Sequence, residues 1–463
     1  MLNSGSNFPT GEVDVAVIGA GAAGIAAGRR LAAADANFVV IEARSRIGGR
    51  AWTEMAGGFP IDLGCGWLHS GDRNPWTEIA GREGLTIDRT PAPWTTRRDM
   101  SFSAEAWNEF EAAVRLFNGR VEAAAKEGRD HPAAEYLEAG DKWNGLIDAI
   151  STYANGAELE LISVLDLQRY ADDDVNWRVV EGYGAAISSF GAALPLVLDC
   201  AVTHIDHGGK KIRIETSRGE IAANAAIVTL PTSLIASESV RFTPALPAKI
   251  EAAADLPLGL ADKVLLAVDG ADNLPPETRL FGKLDRTATG AYHLRPFGRP
   301  LIEGYFGGRL ARELEQEGDG AFARFAVDEL VAHLGSGMRA RLRPLAASAW
   351  NNDPFARGSY SHALPGKAGS RAVLARAVDN RLYFAGEACS AESFSTAHGA
   401  FETGAAAAEA AVAVLHPGRT GARQADRSEA GGGSAGTRAG IEFDARNLAL
   451  FGPFGLTDCD SGS

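Results

Sequence analysis

Beyond residues 1–12 the chain reads Val13-Asp-Val-Ala-Val-Ile-Gly-Ala-Gly-Ala-Ala-Gly24. The apolar run over 13–18 predicts a buried parallel strand, and the three glycines form G-x-G-x-x-G at the turn into a helix. Gly19 allows the tight turn, Gly21 lets the backbone approach a pyrophosphate, and Gly24 lets the helix pack closely on the sheet. A second apolar run ends at Glu42, about 20 residues further on, where a carboxylate can bind a ribose hydroxyl. Together these features predict a dinucleotide site, but they do not distinguish NAD from FAD.

A second glycine pair follows in Arg46-Ile-Gly-Gly-Arg50. Arginine suits bidentate phosphate recognition, so the segment predicts another pyrophosphate contact, which an NAD site does not need. Taken with the first motif, it resembles the start of the two-dinucleotide-binding-domain flavoproteins, in particular the flavin amine oxidase family. The resemblance implies an α/β fold in which an FAD-binding Rossmann-like domain is interleaved with an α+β substrate domain.

The composition excludes several other classes of protein. A length of 463 residues suits two intertwined domains, and a net charge of −14 argues against nucleic acid as a partner. The four cysteines are scattered without C-x-x-C spacing, so neither a metal site nor a disulfide framework is expected. The N-terminus does not read as a signal peptide, and no apolar run reaches the ~18 residues of a membrane span. These features predict a cytoplasmic protein without a membrane partner.

The chain alternates between cofactor segments and insertions. The resemblance places the FAD-binding domain at 12–75, 191–245 and 346–416, and the substrate-binding domain at 76–190 and 246–345. Hydrophobic periodicity predicts helices over 103–126, 158–170, 184–198, 321–334 and 399–415, and strands over 202–214, 220–230, 263–268 and 381–385. The stretch 417–440 is rich in Gly, Ser, Ala and Arg and predicts a flexible linker. The tail over 441–463 carries three phenylalanines and is expected to dock on a surface that the sequence does not identify.

Near the C-terminus the chain reads Leu382-Tyr-Phe-Ala-Gly-Glu387 and then Thr396-Ala-His-Gly399. A strand that ends at Gly386 places the Glu387 carboxylate where a ribityl or ribose hydroxyl could bind it. Thr396 and Ala397 begin a helix whose N–H groups can face the pyrimidine edge of a flavin, which is anionic when reduced. The segment resembles the final FAD motif of the amine oxidases.

The stretch from Trp350 to Ser361 resembles the histone demethylase and plant polyamine oxidase branches of the same family. The resemblance implies that Trp350 packs beside the flavin and that Tyr360 lines an aromatic cage over its face. Thr396 occupies the second cage position, which is a tyrosine in monoamine oxidases. Ser359 stands where monoamine oxidases carry the cysteine that bonds to the flavin, so the FAD is expected to be non-covalent.

The resemblance also assigns roles to Lys263 and to the segment 62–69. Lys263 would hold a water near flavin N5 and assist flavin reoxidation or substrate deprotonation, with a lowered pKa if it is buried. His69 replaces an acidic residue of plant polyamine oxidases, which argues against a polyamine substrate. It is assigned to the substrate pocket with Tyr360 and Thr396, and a structural role for it stays open. The residues expected to contact FAD are Gly19, Gly21, Gly24, Glu42, Ala43, Arg44, Gly48, Gly49, Arg50, Gly64, Cys65, Gly66, Trp67, Val202, Trp350, Gly386, Glu387, Thr396 and Ala397.

The resulting hypothesis is an FAD-dependent amine oxidase. A hydride leaves the amine α-carbon for flavin N5, the imine hydrolyses to an aldehyde or ketone, and O2 or another acceptor takes the electrons, giving H2O2 when it is O2. Two alternatives stay open: an FAD-dependent desaturase or C–C dehydrogenase, and a non-catalytic FAD-binding protein. The sequence does not identify the amine, and it leaves open whether the chain forms a homo-oligomer.

Overall fold

The protein is described by a computed structural model that covers residues 8, 9, 11–96 and 98–415. The linker predicted over 417–440 and the tail over 441–463 lie outside the described residues.

The described residues form seventeen strands, which the chain visits in the following order: β1 (Val13–Ile18), β2 (Phe38–Ile41), β3 (Thr53–Ala56), β4 (Phe59–Asp62), β5 (Ile87–Asp88), β6 (Arg178–Val179), β7 (Leu196–Val197), β8 (Val202–Asp206), β9 (Ile212–Thr216), β10 (Gly219–Val228), β11 (Arg241–Thr243), β12 (Ala261–Val268), β13 (Thr278–Phe281), β14 (Ala291–Leu294), β15 (Leu301–Gly307), β16 (Leu342–Ala347) and β17 (Leu382–Phe384).

The same part of the chain contains twelve α-helices: α1 (Ala22–Ala33), α2 (Pro75–Arg82), α3 (Ala104–Lys126), α4 (Asn144–Ala154), α5 (Val164–Arg169), α6 (Tyr183–Gly191), α7 (Thr232–Ala236), α8 (Pro247–Ala254), α9 (Gly308–Glu317), α10 (Ala321–Leu334), α11 (Ser370–Ala375) and α12 (Ala397–Leu415). None of these helices is long and apolar enough to cross a membrane.

The larger sheet has eight strands in the order β11-β8-β9-β10-β1-β2-β7, and β17 pairs with β10. Strands β2 and β10 run parallel to β1, and β17 runs parallel to β10. The carboxyl ends of these four strands therefore meet at one edge of the sheet. The strands β1 and β2 are buried on both faces, which explains their continuous apolar sequences. This edge brings Gly19, Glu42 and Gly386 together, at the place where open α/β sheets bind ligands.

Helices α1 and α12 cross on one face of this sheet. Their backbones come close because Gly404 of α12 has no side chain; a Cβ there would lie 2.1 Å from the carbonyl oxygen of Ala23 on α1. Trp76 of α2 and Tyr183 and Ile187 of α6 join the same hydrophobic core. The two ends of the insertion predicted over 76–190 thus pack against the segments predicted to form the FAD-binding domain.

The second sheet is antiparallel, in the order β13-β14-β15-β12-β16. Alternate residues of β12 face opposite sides: Val264 and Leu266 belong to the core that includes Leu310 and Leu330 of α9 and α10, whereas Lys263 lines a cavity. Lys263 pairs across the ladder with Tyr305 of β15. We propose that the two sheets mark the two discontinuous domains expected from the sequence.

Two predicted helices are interrupted in the structure. The helix predicted over 158–170 is shortened to α5, because the Ser163 side chain accepts the Asp166 N–H at 3.0 Å and caps a new helix start. The helix predicted over 184–198 ends at Gly191, after which Pro195 precedes β7, which pairs with β2. Helices over 103–126 and 321–334 are confirmed, the first with Ser103 as its N-cap.

Candidate active site

The glycine turn after β1 presents bare backbone to a cavity. Gly19 has a φ of +103°, and a Cβ on Gly24 would lie 1.9 Å from the Gly19 carbonyl oxygen. Gly21, the N-cap of α1, makes no side-chain cap, and a Cβ there would have no neighbour nearer than 3.9 Å. The free N–H groups and the dipole of α1 therefore favour an anion at this point. Gly24 is not among the residues that line the cavity. Its missing side chain instead lets α1 pack against the turn.

Glu42 is fixed beside this turn at the end of β2. Its Oε2 accepts the Ala20 N–H at 2.8 Å, and its Oε1 accepts the Arg44 N–H at 2.9 Å. A carboxylate oxygen can accept two hydrogen bonds, so acceptor capacity remains for ribose hydroxyls. Ala43 and Val202 line the cavity next to it.

The arginines of the second glycine segment take different positions. Arg44 and Arg50 line the cavity, and Arg50 donates from one nitrogen to Ser359 O at 2.7 Å and to Glu387 at 2.9 Å. Arg46, for which a phosphate contact was expected, is not among the lining residues. Its guanidinium lies 4.6 Å from the Trp52 ring centroid and donates to Gly49 O at 2.9 Å.

Glu387 connects the C-terminal return to the rest of the site. Its oxygens accept from Arg50, from the Ser361 hydroxyl at 2.6 Å and from the Ser395 N–H at 3.0 Å. Burial alone would raise the pKa of Glu387, but the nearby Arg50 guanidinium and the other donors hold it below its ordinary value. The carboxylate expected to bind a ligand hydroxyl thus also holds together three segments of the cavity wall.

Helix α12 points its N-terminus at the cavity. Thr396 caps it by accepting the Gly399 N–H at 3.0 Å, and the Thr396 hydroxyl donates to Ser393 O at 2.6 Å. Thr396 and Ala397 both line the cavity. The arrangement is the one expected for stabilising an anionic ring edge.

The aromatic rings of Trp350 and Tyr360 also line the cavity. Trp350 is buried and donates its indole N–H to Leu63 O at 3.1 Å. The Tyr360 hydroxyl donates to Tyr153 O, and burial raises the pKa of Tyr360, so that the phenol stays neutral. Both rings are therefore fixed by hydrogen bonds to backbone carbonyls.

The segment Gly64-Cys65-Gly66-Trp67 also lines the cavity. A Cβ on Gly64 would lie 3.2 Å from the Trp350 ring, and one on Gly66 would lie 3.2 Å from Lys263 Nζ. Lys263 is 9% exposed; its ammonium donates to Asp62 O at 3.0 Å and lies 2.9 Å from Glu303 Oε1. The lysine is thus a paired cation and not the isolated buried amine considered from the sequence. Burial raises the pKa of the Cys65 thiol to about 12, so this cysteine is a neutral lining residue.

His69 lies in the cavity wall in contact with two polar side chains. Its Nδ1 is 2.6 Å from Asn176 Oδ1 and 3.8 Å from Asp172 Oδ2. The run Asp172 to Asp174 follows the cavity residue Tyr170, and Asp173 pairs with Arg73. Burial, together with the two neighbouring carboxylates, raises the pKa of Asp174 to about 7.

A single elongated cavity of about 520 Å³ joins all these parts. The residues expected to contact FAD or substrate line it, except Gly24 and Arg46. Residues 22–412 match the family model of flavin-containing amine oxidoreductases. The chain belongs to this family.

Similar proteins agree with this assignment. Polyamine oxidase 2 of Arabidopsis thaliana is 28% identical over 461 residues, covering 88% of this chain and 90% of that protein. Polyamine oxidase 4 of Oryza sativa subsp. japonica is 30% identical over 440 residues, covering 85% of this chain and 88% of that protein. Putrescine oxidase with bound putrescine has the same fold, with a TM-score of 0.72, 16% identity, and coverage of 88% of this chain and 100% of that one. For cyclohexylamine oxidase from Brevibacterium oxydans the TM-score is 0.70 and the sequence identity 20%, with coverage of 88% of this chain and 100% of that one.

Other residues of the cavity of this flavin amine oxidase were not singled out from the sequence. Six of them are aromatic: Trp94, Tyr153, Tyr170, Tyr305, Phe355 and Phe394. Glu303 pairs with Lys263. One signal was present for Glu303, since it is a lone carboxylate within the apolar strand Leu301–Gly307, where a buried charge needs a partner. The aromatic residues come from separate segments, so no local pattern brings them together.

Proposed function

We propose that this protein oxidises a small amine with a non-covalently bound FAD. The observation that carries the proposal is the single cavity that connects the Gly19–Glu42 turn with the chamber walled by Lys263, Tyr360 and Thr396. A dinucleotide laid along it would have its AMP half at the turn and its flavin in the chamber.

The residues present fit FAD along the whole cavity. Gly21 and Gly386 face open space where a side chain would intrude on a ligand. The α1 N-terminus suits the pyrophosphate, Glu42 suits the ribose, and the α12 N-terminus suits the anionic edge of the flavin. Arg44 and Arg50 add positive charge along the phosphate path.

The contacts of Ser359 support non-covalent binding. Its hydroxyl donates to Ala261 O at 2.8 Å and accepts the Ala261 N–H at 2.9 Å. A serine at this position cannot form the thioether that a cysteine would. Denaturing the purified protein with acid should therefore release yellow FAD into the supernatant, whereas a yellow precipitate would contradict this part of the proposal.

Bound FAD supplies the acceptor for the hydride that leaves the amine α-carbon, and O2 then takes the electrons to give H2O2. The protein's part is to position the amine. Tyr360 and Trp350 form a rigid aromatic wall, which can also interact favourably with an amine nitrogen. His69 and Thr396 offer polar contacts on the other walls. The imine product hydrolyses to an aldehyde or ketone without needing a group from this chain.

An anaerobic panel of amines tests the proposal. The FAD-loaded protein is mixed with putrescine, spermidine, cyclohexylamine and benzylamine, and the yellow flavin absorbance is followed. Bleaching by at least one amine is the expected result. Bleaching by an isoprenoid but by no amine would instead favour a C–C dehydrogenase, and no bleaching at all would favour a non-catalytic protein.

Admitting air after bleaching tests the electron acceptor. Rapid recovery of the yellow colour with formation of H2O2 is expected for an oxidase. Recovery only on addition of an artificial acceptor would show that O2 is not the acceptor. The panel also ranks the amines, because the aromatic walls and the His69 contact determine which carbon skeletons fit.

A further inference from the structure

The Lys263 ammonium is held from two sides. It lies 2.9 Å from Glu303 Oε1 and 3.0 Å from Asp62 O, and 5.4 Å from the centroid of the Tyr305 ring. A Cβ on Gly66 would lie 3.2 Å from its Nζ, so this glycine gives the lysine its room. An ammonium has three donors, and the two recorded acceptors leave one for the cavity that Lys263 lines.

The β-ladder determines which side chains surround this ammonium. Lys263 pairs with Tyr305 and Leu265 with Glu303, and directly opposed residues of an antiparallel pair share a face. Glu303 forms an ion pair with Lys263, and the Tyr305 hydroxyl interacts electrostatically with Glu303 and with Trp67. The lysine, the carboxylate and the phenol therefore form one cluster at the cavity wall.

A second, smaller cavity of about 40 Å³ lies beside this cluster. Gly66, Trp67, Lys263 and Tyr305 line both cavities, whereas Glu303 lines only the small one. Charged side chains among its lining residues, and its volume against the ~10–15 Å³ that one water requires, suit it to hold water. Lys263 thus stands between the two cavities, with its counter-ion on the side of the small one.

We propose that Glu303 is a positioning residue of the oxidation: its carboxylate pairs with the Lys263 ammonium and directs the remaining N–H of that ammonium into the main cavity. The inference rests on the proposed function, because the flavin is what that N–H would face, directly or through water. Lys263 is then a fixed hydrogen-bond donor and not a base. The substrate amine must lose its proton elsewhere, before or during entry.

The electrostatics of the cluster agree with this geometry. Burial alone would raise the pKa of Glu303, but Lys263 and then His293 hold it below its ordinary value, so the carboxylate stays charged at neutral pH. The neighbouring charged or titratable groups come from several elements: Asp62, Cys65, Arg178, His293, Arg299 and Tyr305. When one partner of a buried ion pair loses its charge, the other partner's charge is left uncompensated, which destabilises its charged form.

The test is Glu303→Gln, which keeps the shape and an acceptor oxygen but removes the charge. In FAD-free and FAD-loaded protein labelled with [ε-13C]lysine, NMR follows the titration midpoint of Lys263, whose resonance is identified by its loss in Lys263→Met. We expect the midpoint to fall by about one pH unit or more, which is about a tenfold easier loss of the proton. The rate of flavin reoxidation should decline at correspondingly lower pH.

Controls separate positioning from a general loss of structure. Glu329→Gln also removes a buried carboxylate, one that accepts from Thr289, Gly290 and Tyr292 on and before β14, and it should leave the Lys263 midpoint unchanged. Glu303→Asp keeps the charge but retracts it, so the midpoint should stay high while reoxidation slows. In a Lys263→Met background, Glu303→Gln should have no further effect on reoxidation.

An unchanged Lys263 midpoint in Glu303→Gln would overturn the proposal, as would an equal loss of reoxidation rate with and without Lys263. If Glu303→Gln does not fold, a low midpoint in Glu303→Asp would have the same consequence. The midpoint can be measured even if no amine bleaches the flavin. Failure of this inference is therefore distinguishable from failure of the proposed function.

Discussion

Asp262, next to Lys263 in the chain, shares a buried site with another carboxyl group. Its Oδ1 accepts from the Ser348 hydroxyl at 2.7 Å and from the Trp350 N–H at 3.1 Å. Its side chain also contacts Glu315 of α9, whose Oε1 accepts the Asn351 N–H at 2.9 Å. Burial and then Glu315 raise the pKa of Asp262 well above its ordinary value. The pair therefore holds a proton beneath the segment that carries Trp350.

The free energy of unfolding of Asp262→Asn, relative to that of the native protein, should increase as pH rises. The folded state keeps a proton on Asp262 that the unfolded state loses above a pKa of about 3.9, so native stability falls with pH until the raised pKa is reached. Asparagine removes this linkage, and its amide can donate to Glu315. Above about pH 5 the difference in the free energy of unfolding should grow by up to about 1.4 kcal/mol per pH unit until the raised pKa is reached, as measured by urea titration.

Asp62→Asn is the matched comparison. Both Asp62 oxygens accept backbone N–H groups, from Tyr183 at 2.9 Å and Gly184 at 3.2 Å, so an amide nitrogen would oppose a donor. Destabilisation by about 1–3 kcal/mol is expected. Burial raises the pKa of Asp62 as well, so this variant also loses a proton linkage and its destabilisation should shrink as pH rises. Equal pH dependence in native protein and Asp262→Asn would contradict the shared proton.

Tyr360 separates the effect of an aromatic wall from that of its hydroxyl group. Tyr360→Phe loses the hydrogen bond to Tyr153 O but keeps the ring, so amine-dependent flavin reduction should remain close to native. Tyr360→Ala removes the wall and should lower kcat/KM by about tenfold, corresponding to about 1.4 kcal/mol of lost contact. Stopped-flow reduction measures both variants. A larger loss in the phenylalanine variant than in the alanine variant would show that the hydroxyl, not the ring, carries the effect.

At the scale of the element, helix α1 depends on one close approach of backbone to backbone. Gly24→Ala places a Cβ 1.9 Å from Gly19 O, which neither segment can avoid without moving the turn. Loss of FAD affinity and destabilisation by about 1–3 kcal/mol are expected, measured by FAD titration and thermal unfolding. Gly28→Ala lies one turn later and meets only the Leu194 and Val40 side-chain ends, at 2.9 and 3.1 Å. This variant should retain FAD; equal loss in both would contradict a specific role for the turn.

Local signals predicted elements well where one residue type had one physical use. Ser103 begins α3 as its N-cap, and the apolar runs of β1 and β2 pair in parallel as expected. The prediction over 158–170 was wrong about continuity because a serine inside a helical pattern can either continue the helix or cap a new one. Ser163 caps, since the preceding residues form a different turn packed against 130–133.

At the scale of the whole molecule, FAD should contribute to stability as well as chemistry. Its expected contacts come from segments near residues 20, 45, 65, 202, 350, 386 and 396, so a bound cofactor joins parts of the fold that are far apart in the chain. Adding FAD at about 100 times its Kd to cofactor-free protein should contribute about 2.7 kcal/mol and raise the Tm. NAD at the same concentration should leave the Tm unchanged, and an equal rise with NAD would contradict the choice of cofactor.

The sequence by itself indicated the family and predicted residues for the cofactor half of the site, most of which line the cavity. Those features depend on local geometry: a glycine where the backbone turns tightly or approaches a ligand, a carboxylate at a strand end, a helix start beside them. Contacts between segments that are distant in the chain were decided only by the tertiary structure. It paired Lys263 with Glu303, placed the Arg46 guanidinium over Trp52, gave Glu387 hydrogen-bond donors from three residues and brought six scattered aromatic residues to one cavity. Charge pairing and aromatic packing depend on which strands and helices become neighbours, and that information is not contained in any single segment.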